Sequence, residues 1–93
     1  MKRYRAWITD SDTANEGIYD FDGPDDLFSQ TPVRIVRAFM EHVDTNLLPA
    51  NHIDYEVNAA MKHSPHAILT AMGSFLVQHG PGIPFTLFIT PAE

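Results

Sequence analysis

The chain contains no cysteine. That excludes a disulfide framework, a thiolate metal site and a Cys nucleophile, and leaves packing as the source of stability. Basic residues are scarce, six against twelve acidic, for a formal charge of −6 with histidine neutral. Such a balance disfavours general attraction to DNA, RNA or anionic membrane. No stretch approaches the roughly 18 apolar residues that a membrane-spanning helix requires. The opening MKRYRAWITD has the charges of a signal peptide but no apolar run behind them. These absences lead to the expectation of a soluble, cytoplasmic protein that engages neither membrane nor nucleic acid.

Catalytic signatures are missing as well. There is no G-x-S-x-G elbow, no G-x-x-x-x-G-K-[ST] loop and no G-x-G-x-x-G turn. HGPGIP has two glycines but precedes a strand-like run and reads as a hairpin. Asp10-Ser11-Asp12 and Asp20-Phe21-Asp22-Gly23 lack the ligand order of a calcium loop. Of five histidines, only His63 and His66 lie close together, across a Ser-Pro turn. Zinc normally takes three or four protein ligands, so this pair alone does not make a site. His42, His52 and His79 suit surface or capping roles. The carboxylates of a solvated loop cannot set apart the pKa values that acid/base work needs. No cofactor is expected, and the chain reads more readily as a binding protein than as an enzyme.

What is present is enough for a fold. The 93 residues are 44% apolar and 11% aromatic, which argues for one folded domain over 1–93. The organising element is TPVRIVRAFMEHVDTNLL. Thr31 can cap, Pro32 fits the first helical position, and Val33, Val36, Phe39, Met40, Val43 and Leu47 recur at helical spacing. The spacing predicts an amphipathic helix over about 32–47, stopped by Pro49.

Residues 2–9 alternate as a strand, with Tyr4, Ala6 and Ile8 on one face and Arg3, Arg5, Trp7 and Thr9 on the other. Residues 10–30 read as a long acidic loop, pinned by Ile18, Tyr19 and Phe21, with room for a short edge strand at 18–21. From Ile53 to Lys62 a second alternation puts Tyr55, Val57, Ala59 and Met61 on one face. Residues 64–80 can be read two ways. Gly73 beside Thr70 and Ser74 lowers helix propensity, and Phe75 and Val77 suit a sheet, so a strand is preferred. IPFTLFIT, from Ile83 to Thr90, is a further strand.

The resulting fold class is α+β, a two-layer sandwich of order β-α-β-β-β with one helix on a mostly antiparallel four-stranded sheet. The alternative is β-α-β-α-β with residues 65–79 helical. A single helix covers one sheet face. The other, carrying Arg3, Arg5, Trp7, Met72, Leu76 and Phe88, needs a cover: the acidic loop, a second copy in a homodimer, or a ligand. The leading expectation is a non-catalytic interaction protein that dimerises through that face. The second is a small enzyme or carrier whose pocket on the same face orients an anion with Arg3, Arg5 or Arg34. Arg34 and Arg37, early in the helix, could contact an anion, but Asp20, Asp22, Asp25, Asp26 and Glu41 are expected to neutralise them. A third reading, an acidic antagonist of a nucleic-acid-binding protein, needs a rigid acidic display that Gly17, Gly23 and Pro24 oppose.

Overall fold

The alternation of residues 2–9 becomes the first strand of a five-stranded antiparallel sheet in the computed structural model. The structure describes residues 1–10, 16–43, 54–63, 66–76 and 82–92. Its elements are β1 (Lys2–Asp10), β2 (Glu16–Gly23), a 3-10 turn (Leu27–Ser29), α1 (Pro32–His42), β3 (Asp54–His63), β4 (Ile68–Leu76) and β5 (Ile83–Pro91). Across the sheet the order is β2-β1-β5-β4-β3, with every pairing antiparallel. The protein is therefore α+β, one helix on one face of an antiparallel sheet, as the sequence implied. The order is β-β-α-β-β-β rather than β-α-β-β-β, and the sheet has five strands, not four.

The extra strand comes out of the acidic segment, which is not the loop expected over 10–30. In β2, Tyr19 and Phe21 alternate with Asp20 and Asp22, and the register sets Asp20 opposite Arg5 and Asp22 opposite Arg3. Opposite charges at directly opposed positions favour that register over a slipped one. The short edge strand foreseen at 18–21 is thus a full partner of β1. Beyond it Gly23 is buried against the Tyr4 ring. The Tyr4 hydroxyl donates to the Pro24 carbonyl, tying the turn to the core. Burial pushes the Tyr4 pKa up.

Helix α1 starts at Pro32 as expected, with Thr31 in extended backbone at the cap. The Thr31 hydroxyl makes no capping bond; its carbonyl accepts from the Ile35 N–H at 3.1 Å. The buried stripe is Ile35, Val36, Phe39 and Met40, while Val33 is exposed, so the core-facing side is turned slightly from the predicted one. The helix closes at His42, whose place in the last turn complements the helix dipole. Asp44, Leu47 and Pro49 lie outside the described residues. The Phe39 ring meets Phe21 at 5.6 Å and Tyr19 at 6.3 Å, and His42 lies over Phe21 at 5.9 Å. From the sheet, Tyr4, Ala6, Leu69, Ala71, Phe85, Leu87 and Ile89 complete the core.

Two features fix the far half of the sheet. Residues 68–76 form a strand, which overturns the helical alternative for 65–79 over the described positions. Gly73 is needed there. A Cβ at this position would collide with the Glu56 carbonyl oxygen of β3 and press on the Phe85 ring. Next to it, the β3–β4 register shifts between Val57 and Ala59. This bulge corrects the predicted face of β3. Tyr55 and Val57 pack on the core, but past the bulge Ala60 takes the inner position, and Ala59 and Met61 turn outward. Lys62 then reaches to the helix side, its ammonium donating to the Phe28 carbonyl at 3.2 Å.

Candidate functional site

The face away from α1 inherits the odd residues of β1, Ile18, Asp20 and Asp22 of β2, the even residues of β4 and β5, and Asp54, Glu56, Ala59, Met61 and His63 of β3. Register connects its apolar members. Ile18 lies opposite Trp7, Trp7 opposite Phe88, Phe88 opposite Thr70, and Thr70 opposite Met61. One band thus crosses all five strands. In the next row Met72 lies opposite Thr86, and Thr86 opposite Thr9. Exposures are high for such residues: Ile18 61%, Met61 59%, Met72 58%, Phe88 49%, Leu76 49% and Trp7 38%. Nothing among the described residues covers them. Residues 16–23 lie in the plane of the sheet, and 24–30 pass on the helix side, where Leu27 is buried in the core. The expected cover by the acidic loop is therefore not supplied by residues 16–30; 11–15 lie outside the described residues.

Of the residues predicted for this face, Trp7 and Phe88 are direct cross-strand neighbours, and Met72 sits one row away. Leu76 ends β4 opposite Asp54, at the margin. Arg3 and Arg5 stand at the opposite margin and are occupied. The Arg5 Nε donates to Asp20 Oδ1 at 2.7 Å and its Nη2 to Oδ2 at 3.1 Å, a bidentate pair that holds the Asp20 carboxyl below the usual carboxylate range. Arg3 lies 3.4 Å from Asp22. These guanidinium groups stitch β1 to β2.

The hollows on this face tell the same story. One of about 500 Å³ opens beside the bulge, lined by Thr9, Asn58, Ala59, Met72, Gly73 and Phe85 among others. Another, of about 380 Å³, lies around Met61, Met72 and Phe88. Their volumes fall within the range of ligand sites. Among the described residues neither is lined by a charged side chain.

The helix arginines do not behave as predicted. Asp20 and Asp22 are taken by Arg5 and Arg3, and Asp25 lies 3.4 Å from the terminal amine. Among the described residues neither Arg34 nor Arg37 forms an ion pair. Both line a groove of about 350 Å³ with Pro24, Leu27, Gln30, Ala38 and Glu41, on the helix layer and away from the open face. The His63–His66 pair gathers no further ligand: among the described residues no group of three or more metal-ligating side chains assembles. His63 Nε2 instead lies 2.9 Å from the Thr70 hydroxyl. His52 and His79 lie outside the described residues. Among the described residues no helix is long and apolar enough to cross a membrane.

Sequence reasoning missed two members of the band. Ile18 was legible in principle, because Tyr19-Asp20-Phe21-Asp22 alternates as an edge strand should and leaves its neighbour facing outward. Met61 was not: the alternation of β3 runs unbroken through Asn58, and nothing local marks the bulge that reverses it. Set against known proteins, no family model, no curated protein and no solved structure matches the chain.

Proposed function

We propose that this protein is a non-catalytic interaction module whose contact surface is the open face of the sheet, and that it associates there with a second copy of itself. The observation that carries the reading is the band Ile18–Trp7–Phe88–Thr70–Met61, with Met72 beside it, left facing solvent while α1 seals the other side. Contiguous exposed apolar surface of this kind marks association sites, and two-fold homodimers are the commonest closed assemblies. The uncharged lining of the hollows favours this reading over the enzyme or anion-carrier alternative.

The test is solution mass by light scattering behind size exclusion, across a concentration series, for the wild type, Trp7→Glu and Met72→Glu. Met72 is the more exposed of the two, so its variant guards against a folding defect at Trp7. The expected result is a wild-type dimer and two folded monomers, with unchanged far-ultraviolet circular dichroism. A wild type that is monomeric at every concentration would overturn the proposal.

A further inference from the structure

Resting on that reading, we infer that the assembly is a face-to-face stack with a two-fold axis in the plane between the sheets. In it β5 lies over β5 of the second copy, and both helices point outward in an α/β/β/α sandwich. Three observations lead there.

The first is strand order. β5 is the middle strand of β2-β1-β5-β4-β3. For two identical faces to meet squarely, the axis must lie between them, along the strands or across them. Either choice maps the middle strand onto its own copy. Phe88 and Thr86 of β5 then come to the centre of the contact, and Ile18 and Met61, on the two edge strands, to its rim.

The second is the distribution of charge. Each copy carries −6, which opposes self-association. Yet the outward residues of β4 and β5 are Ile68, Thr70, Met72, Ser74, Leu76, Pro84, Thr86, Phe88 and Thr90, and none is charged. Arg3 and Arg5 are cancelled within the chain by Asp22 and Asp20. The other acids of this face among the described residues, Asp54 and Glu56, lie on the edge strand β3. An apolar, uncharged centre with charges at the margin is the anatomy of a protein–protein contact. It suits a like copy better than a charged partner, which would find nothing to pair with in the middle.

The third is area. Five strands at about 4.8 Å by nine residues at about 3.3 Å give a plan area of about 700 Å². A stable interface needs about 800 Å² of accessible surface on each side, and side-chain relief makes accessible surface larger than plan area. Contact over most of the face is therefore sufficient, while contact at one edge is not.

The absence of cysteine makes the geometry directly testable, since any single introduced thiol is unique. Stacked sheets lie about 10 Å apart. Thr86→Cys, on the central strand, should cross-link to its copy in high yield with a bismaleimide of about that span. Glu41→Cys, on the outer side of α1, should not cross-link, because two sheets and two helices separate the labels. Nitroxides at Glu41→Cys should report a spin–spin distance of about 40 Å or more. Cross-linking at Ile18→Cys or Met61→Cys but not at Thr86→Cys would overturn the centred stack while leaving the open face as the contact surface. Cross-linking at Glu41→Cys alone, or a monomeric wild type, would overturn both.

Discussion

The two faces of this sheet are made by the same strands, residue by alternate residue, and they differ in what lies against them. Toward α1 the strands present Leu69, Leu87 and Ile89 with no exposure at all. Away from it they present Trp7, Met72 and Phe88 interleaved with Thr9, Thr70, Thr86 and Thr90. Threonine is the β-branched residue that satisfies strand preference without adding a fully apolar surface. A face composed this way can pass through water as a monomer and still gain from being covered. The inner face cannot, because removing its cover exposes only hydrocarbon. On the reading proposed above, one sheet holds a permanent interface and a conditional one.

The largest test of that contrast uses neighbours on β5. Leu87→Ala should cost about 2–5 kcal/mol of folding stability, by lost burial and the cavity left beneath α1. Phe88→Ala, one residue on, should cost within about 0.5 kcal/mol when measured at a concentration where the protein is monomeric. Its cost should grow as protein concentration rises, because only the dimer uses the ring. Urea denaturation of both variants at two protein concentrations reads this out. Equal costs at low concentration would mean that Phe88 is covered within the monomer, and that the two faces do not differ in kind.

A smaller effect is expected at Gly73, where the inner face meets the bulge. Gly73→Ala should destabilise by about 1–3 kcal/mol, since the added methyl meets backbone as well as the Phe85 ring. The displacement should pass to β3 and disturb the turn of Ala59 and Met61 toward the open face. Association should therefore weaken more than folding does. A variant as stable as wild type, by thermal melting, would show that β3 can step aside and that the bulge is not pinned by this glycine.

This position also shows how far the fold could be read from sequence. The strand character of 68–76 followed from Gly73, Thr70 and Ser74, which disfavour a helix, and the structure agrees. Outward Trp7, Met72 and Phe88 followed from period-two alternation, which is a local property of each strand. Met61 did not, because a bulge depends on the partner strand and leaves no mark in its own alternation. Nor did β2: its aspartates suggested a loop, and only the arginines of β1, fifteen or more residues earlier in the chain, turn them into strand residues. Residues whose face is set by periodicity were legible. Those whose place is set by a distant partner were not.

The Arg5–Asp20 pair supplies the smallest and most specific test, at the boundary between the two kinds of surface. Hydrogen bonds from Arg5 hold the Asp20 carboxyl below its ordinary range, so the folded state favours the charged form. A depressed carboxylate contributes stability that is fully present above its unfolded pKa, about 3.9, and that is lost as pH falls through the folded value. Asp20→Asn removes that contribution. Its deficit relative to wild type should be small, since both partners are partly exposed and screened by solvent. It should be constant from pH 7 to about 5 and close as the pH drops below about 4. Urea midpoints at pH 7, 4 and 2.5 follow the gap. If the gap closes, the pair acts as a clasp between β1 and β2, and Arg5 is spent within the chain. If wild type and variant coincide at every pH, the clasp contributes nothing to folding. Arg5 would then be free to serve the rim of the contact, and the face would be less neutral than its ion pairs suggest.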